Sequence, residues 1–577
     1  MPQSFIEGIV ANFSAHKVPL AHVVIENYLN SGEDLDPEAF PDPAAMVKTV
    51  GAVPAVLNQG CKVVLWLDPH VHRTGTTLGD ALIAGNCTSD GWQDSGGCGC
   101  SAHAGCGQSD VWVERCEKIW QAHVEKEFLS AGVAGFKLDQ DDGDADVGFA
   151  DNITFASGLT GGEMHNTFGF AFQRMFHGFY KQKGQRAWMQ SRGNYLGGQG
   201  YSTSSYSDGY SYPIYVNGLV NSGFTGLAWA PEVRYSTCDA DYARRVQLML
   251  MGSQSQFNAW QRGDLPWDCE GEMWDVFVRH YNLRARLLPY LYTAFYQQTL
   301  AGLPIVAALP LRFPTDLAAR KIDDQLMLGP SLMFAPGGLG SNEVKRHDKL
   351  QPGIIPATNA TTRTVHFPSD SEGGGAWWSY WTGALATTAP ATKVMDTPVG
   401  FAPLYVRGGS VVSMLVEAAL PSAESSDSAS GRHGAGQQGL LELLVAPAKA
   451  GGVAAGELFL DDFEGLDTVG TAASVHVTFT AASSKLVANV SHVSMGAALG
   501  ESAADSVARS LFAVDTVKVL GVKASSVSKV SLSVAGAQPV AVPSSQWSVG
   551  AQGLTVSGLL GASIKSGSGG VAFELSW

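Results

Sequence analysis

No uninterrupted apolar run in the 577 residues reaches the ~20 residues that a helix needs to cross a bilayer, so a membrane partner is not expected. Positive charge is scarce: 37 Lys and Arg stand against 53 Asp and Glu, a formal net charge of -16. Such a balance repels phosphate backbones and anionic lipid, which argues against nucleic acid and for a neutral polyol such as a sugar. The first thirty residues lack the basic head and apolar centre of a secretory leader. Five N-x-S/T sequons, at Asn12, Asn86, Asn152, Asn359 and Asn489, leave a secretory or organellar route open if a leader was lost with the N-terminus. Cysteine is sparse, and no C-x-x-C pair of the zinc type occurs. Cys87, Cys98, Cys100, Cys106 and Cys116 crowd into one Gly-rich segment, where loop disulfides or free thiols fit better than a metal; Cys61, Cys238 and Cys269 stand apart. Nothing in the pattern sets an oligomeric state.

What the chain has is length and β/α alternation. A chain of this size exceeds one core and fits roughly three to four domains. Between residue 18 and about residue 300, apolar β-runs alternate with amphipathic stretches, the pattern of a parallel sheet with crossover helices. Strands are expected at Ala21–Glu26, Lys62–Asp68, Ala134–Asp139, Arg186–Ser191, Thr203–Asp208, Phe224–Ala230 and Ser253–Asn258, with a helix over Ser4–Phe13. These seven strands predict a (β/α)8 TIM-like barrel short of its first strand, with its chemistry at the C-terminal strand tips. A barrel lacking a strand would expose two edges beside its core, so the expectation is a chain truncated at its N-terminus and weak as an enzyme by itself. After residue 300 the texture changes to short strands punctuated by Gly and Pro. It predicts a proximal β-sandwich over 301–420, a Ser/Ala/Gly-rich linker over 421–439 and a distal β-sandwich over 440–577.

The strand tips carry the chemistry. Gly135-Phe136-Lys137-Leu138 runs straight into Asp139-Gln140-Asp141-Asp142, and a second carboxylate follows a strand-like segment at Tyr206-Ser207-Asp208-Gly209. Two carboxylates at one mouth are what cleavage of a glycosidic bond needs. Lys137 shares a strand face with Asp139, and its ammonium would keep that carboxylate ionised. Residue types alone also fit an acidic surface loop, or a calcium-binding turn over Asp139 to Asp146. An Asp-Gly pair such as Asp208-Gly209 usually marks a turn. Trp66, in Trp66-Leu67-Asp68-Pro69-His70, suits either a sugar face or a barrel core; His70 and His72 read as loop histidines.

These motifs resemble those of glycoside hydrolase family 31, the α-glucosidase and α-xylosidase family. Lys137-Leu138-Asp139-x-x-Asp142 resembles its nucleophile motif in the xylosidase-like form, with Asp142 where the family has Glu. The resemblance implies Asp139 as nucleophile and Asp208 as acid/base, with Ser207 replacing the usual Gly. Arg192 keeps the family's sixteen-residue spacing to the acid/base, and Gly197-Gly198-Gln199-Gly200-Tyr201 resembles the loop between them. Glu26 and Glu232 stand where the family places sugar-binding Asp residues, one methylene longer, a shift of about 1.5 Å. Residues 252–260 lack the family's Arg-Asn-His triplet. Glu232 also suits an ion pair with Arg234. Leu283 to Tyr292, Gly302-Leu303-Pro304, Gln325 to Leu332, Trp377 to Gly383 and Leu458 to Asp462 resemble the family's last barrel helix and C-terminal sandwiches.

The resemblance therefore implies a retaining α-glycosidase that needs no cofactor and no metal, with a carbohydrate or oligosaccharide substrate. Its implied site is Asp139 and Asp208, with Glu26, Trp66, Asp68, Lys137, Asp142, Arg192 and Glu232 binding substrate. The rival is a non-catalytic or vestigial carbohydrate-binding protein, for which the missing strand and altered pocket positions speak.

Overall fold

In the computed structural model, the described residues are 2–26, 34–53, 55–56, 60–67, 69–72, 76–89, 106–142, 151–201, 203–206, 211–230, 232–233, 236–258, 265–339, 355–369, 375–417, 440–448, 452–461, 463, 465–466, 474–482, 484–494, 513–559 and 570–577. The chain divides into two compact units, the first comprising residues 1–207 with short segments from 421–432 and 464–466. The remainder forms the second.

The first unit alternates helix and strand: α1 (Gln3–Ala15), β1 (His22–Ile25), α2 (Pro43–Gly51), β2 (Lys62–Leu67), β3 (His70–His72), α3 (Thr77–Ala84), β4 (Cys106–Gln108), α4 (Glu114–Glu127), β5 (Gly135–Leu138), α5 (Gly161–His165), α6 (Phe168–Gln182), β6 (Trp188–Ser191) and β7 (Thr203–Ser205). β1, β2, β5, β6 and β7 are neighbours in that order and all run parallel. β2 carries a continuous apolar run from Val63 to Leu67, as a strand covered on both faces must; β5 is buried along its whole length, Lys137 included. His70 and His72 lie on β3, which pairs antiparallel with β4 so that they face Gln108 and Cys106, rather than in a loop. Their period-2 signal spans only three residues, too few to read.

Aromatic packing sets helix against sheet. One face of α6 repeats Phe168, Phe172, Phe176 and Phe179, all buried, and Phe176 meets Phe136 of β5 edge-to-face at 4.9 Å. Phe136 also meets Phe128 at 5.7 Å, so one ring ties β5 to the middle of α6 and to the C-terminal end of α4. The Cys87–Cys116 disulfide joins the end of α3 to α4. Cys61 is a free thiol, pushed up to about 12 by burial.

The second unit begins with α7 (Tyr212–Thr225), β8 (Ala228–Trp229), β9 (Glu232–Val233), α8 (Ala240–Leu250), β10 (Gln256–Phe257) and α9 (Glu272–Ala301). The strand expected over Phe224–Ala230 is confined to Ala228–Trp229, because α7 continues through Thr225 and stops at left-handed Gly226. β9 and β10 pair in parallel. Cys238 and Cys269, distant in sequence from the cysteine cluster, form a second disulfide. Beyond α9 the chain is all-β. A six-stranded sheet contains Val306–Ala308, Leu326–Leu328, Leu332–Phe334, Leu404–Arg407, Ala376–Ser379 and Leu385–Thr388. An eleven-stranded sheet follows, in which Ser410–Leu415 pairs antiparallel with Leu440–Ala446. The expected linker over 421–439 lies outside the described residues.

Two glycines separate backbone need from backbone freedom. A Cβ on Gly135 would stand 1.6 Å from the Trp188 carbonyl oxygen, whereas one on Gly178, in α6, meets nothing within 4 Å. Gly135→Ala is expected to lower stability by about 3 kcal/mol through forced separation of β5 and β6. Gly178→Ala should raise it by about 0.5–1 kcal/mol. Denaturant melts of the two variants check the contrast.

Candidate active site

Parallel register delivers three strand ends to one place. Leu67 of β2 pairs with Leu138 of β5, and Leu138 with Ser191 of β6, so the residues that follow emerge side by side. The pairing continues one step beyond each strand: Asp139 N–H donates to Leu67 O at 2.9 Å and Arg192 N–H to Leu138 O at 3.2 Å.

Asp139 is gripped from several sides. The Trp66 indole Nε1–H donates to its Oδ2 at 2.8 Å, and the Gln140 amide donates to its Oδ1 at 2.8 Å. The latter bond needs a tight turn, which Gln140 makes with a left-handed φ of 53°. Arg192 Nη1 lies 3.2 Å from Asp139 Oδ1. The rest of the guanidinium addresses Asp142, with Nε 3.1 and 3.0 Å from its two oxygens and Nη2 3.0 Å from Oδ1. One planar fork thus bridges two carboxylates. Lys137, fully buried, places Nζ 2.7 Å from Glu26 Oε1 and 4.7 Å above the Tyr206 ring.

Burial by itself would push the Asp139 carboxyl up, but the Arg192 and Lys137 charges and the Trp66 hydrogen bond outweigh it and hold the group below the ordinary carboxylate range. Arg192 loses by burial and gains more from Asp139 and Asp142, so its guanidinium is held charged above its ordinary value. Burial, with the neighbouring Asp139 charge, raises the Tyr206 phenol well above its usual value. A carboxylate kept ionised in a mostly buried site is suited to attack or to stabilise positive charge, and unsuited to donate a proton. Lys137 was the cation expected to do this; Arg192 has the larger influence.

Asp141 is of a different kind. It is fully buried and accepts from the Ser191 hydroxyl at 2.6 Å and the Gly193 amide at 2.7 Å. Burial pushes its carboxyl up to about 7 against those two bonds, with the charges of Asp142 and Asp139 adding to the rise.

Of the residues expected at the site, Glu26, Trp66, Lys137, Asp139, Asp142 and Arg192 are brought together. Asp68 and Asp208 lie outside the described residues, as does Arg234, the ion-pair partner expected for Glu232. Glu232 belongs to the second unit, where it is buried and accepts from Asn258 Nδ2 at 3.0 Å. Three residues of note carried little sequence signal. Tyr206 and Asn258 each end a short β-run, and Asp141 stands among so many acids that it read as turn.

Comparison with known proteins bears on family and fold. Residues 1–294 match the family model described as the glycosyl hydrolases family 31 TIM-barrel domain, and residues 302–412 match that of the family 31 C-terminal domain. A probable alpha-glucosidase of Oryza sativa subsp. japonica is 27% identical over 323 residues, 53% of this chain and 32% of that protein. An alpha-glucosidase of Aspergillus niger is 30% identical over 206 residues, 36% of this chain and 17% of that protein. Among solved structures, the Flavobacterium johnsoniae GH31 dextranase complexed with glucose superposes with a TM-score of 0.76 at 17% identity, covering 100% of this chain and 69% of that one. The glucosidase II alpha subunit gives 0.79 at 17% identity, covering 100% and 60%. The chain spans about a third of the length of the first curated relatives it matches. The α/β-barrel class followed by β domains, read from the sequence, is that of the matched models and structures.

Two pH effects follow. Because the fold depresses the Asp139 value, its contribution to stability is present above the ordinary carboxylate range and is lost as pH falls through the lower folded value. Arg192→Met removes the larger cation, so the acid limb of any Asp139-dependent activity should move to higher pH. A pH–rate profile of the variant checks the direction. Asp141 has the opposite sign: its raised value means stability that is full at low pH and declines as pH rises through about 7. Charged or ionisable groups facing it are Asp139, Asp142, Tyr195 and Tyr206. Asp141→Asn should flatten the fall of Tm between about pH 4 and 7, the window between the ordinary and the raised value, read by calorimetry.

Proposed function

Because the chain belongs to glycosyl hydrolase family 31, we propose that it is a retaining α-glycosidase acting on terminal α-linked sugars, with Asp139 as nucleophile and Asp208 as acid/base. The observation that carries this reading is the state of Asp139. A buried carboxylate beside a guanidinium, with an indole N–H on its second oxygen, has the charge and fixed orientation that attack on an anomeric carbon requires. The names of the alpha-glucosidase relatives and of the glucose-complexed dextranase support the sugar class.

In the first step an Asp139 oxygen attacks the anomeric carbon as its bond to the leaving oxygen breaks, and the Asp208 carboxyl gives that oxygen its proton. A β-linked glycosyl ester results. In the second step Asp208, now a carboxylate, takes a proton from water; the water oxygen bonds to the anomeric carbon and the Asp139 ester bond breaks, restoring the α configuration. A double displacement of this kind requires two carboxyl groups about 5–5.5 Å apart. Glu26, Trp66, Asp68, Asp142, Arg192 and Glu232 would meet the sugar, and Lys137 would hold Glu26 in place. The chemistry calls on no metal or cofactor.

Azide separates the roles. On aryl α-glycosides with good leaving groups, Asp208→Ala should be rescued by azide to give the α-glycosyl azide, because Asp139 still forms the β-linked ester and azide inverts it. Product stereochemistry is read by NMR. Recovery of the β-azide would show the two roles to be exchanged, and absence of any turnover by the parent protein would favour the carbohydrate-binding alternative.

A further inference from the structure

The strands that carry Asp139 and Arg192 are joined by a residue that touches neither side chain. Asp141 Oδ2 receives the Ser191 hydroxyl and Oδ1 receives the Gly193 amide, so its carboxylate clasps the residues on both sides of Arg192. Hydrogen-bond logic fixes the polarity of this clasp. Gln173 Nε2 donates to the Gly193 carbonyl at 3.2 Å, an acceptor only, and therefore also donates to Ser191 Oγ at 2.8 Å. The hydroxyl hydrogen is then left for Asp141. The approach is close: a Cβ on Gly193 would stand 2.6 Å from the Asp141 carbonyl oxygen.

We propose that Asp141 is a positioning residue for the nucleophile, acting through the backbone on either side of Arg192 to set where the guanidinium meets Asp139 and Asp142. This rests on the reading of Asp139 as nucleophile. An Asn in its place cannot reproduce the clasp, since both partners are donors and the amide offers one acceptor.

The test has a kinetic arm and a substrate-free arm. With p-nitrophenyl α-glucoside, Asp141→Ala should lose on the order of 100-fold in kcat/KM, mostly in kcat, as a misplacement of about an ångström would cause. Asp141→Asn should lose about 10-fold, one charge-assisted bond being gone. In the substrate-free arm, thermal unfolding of Asp141→Ala, Arg192→Met and the double variant forms a cycle in which the losses in Tm should fail to add, because each change disrupts the same contact. Should Asp141→Ala fail to fold, Asp141→Asn and Ser191→Ala carry both arms. Kcat per folded molecule within about twofold of the parent in Asp141→Ala, or additive losses in Tm, would overturn the proposal. A parent protein that cleaves no aryl α-glycoside would instead refute the proposed function, and the unfolding cycle would still decide whether Asp141 positions Arg192.

Discussion

The site depends on one contact, the Arg192 guanidinium laid across Asp139 and Asp142. A carboxylate taken out of water costs several kcal/mol unless a counter-charge and hydrogen bonds replace the lost hydration. Here the same cation compensates two carboxylates, and the fixed plane of the fork dictates where they point. A Lys at position 192 would supply the charge without that direction. Lys137 illustrates the difference: it is buried deeper, yet its ammonium is committed to Glu26 and acts on Asp139 only through its field.

The contact is braced by the elements beneath it. β2, β5 and β6 end in register, and the pairing persists through Asp139 N–H and Arg192 N–H. Behind the sheet, α6 offers Phe176 to Phe136 and Gln173 to the turn after β6. Gly169 of the same helix lies so near that a Cβ there would stand 2.2 Å from the Gly193 carbonyl oxygen. Helix, strand and turn are therefore positioned by mutual contact, which is how a site on a rigid scaffold holds its geometry. The Trp66 indole extends this to β2, since its ring belongs to the wall and its N–H to the nucleophile candidate.

Neighbouring carboxyl groups in one tetrapeptide come to differ in kind. Asp139 is buried and meets cations, so it is held ionised; Asp141 is buried and meets only neutral donors, so it is pushed up to about 7. Asp142 keeps more solvent and shares the guanidinium. Environment rather than residue type separates their roles, as it does wherever paired acids divide catalytic work.

Local pattern in the sequence determined the β/α alternation, the β-runs from Ala21 to Ser191 and the acidic strand tip, because each is written in consecutive residues with period 2 or 3.6; the later runs over Phe224–Ala230 and Ser253–Asn258 shrank to two residues each. Arg192 was marked out by the family resemblance and not by any local pattern. Tertiary structure alone decided which charges meet. That Trp66 donates to Asp139 across 73 residues, that Lys137 turns to Glu26 across 111, and that Asp141 clasps Ser191 and Gly193 are matters of strand register and helix packing. Neither is expressed in any window of sequence. The short antiparallel pair through His70 and the bond between Asn258 and Glu232 were illegible for the same reason: elements of two or three residues carry no period, and their partners are set by what packs around them.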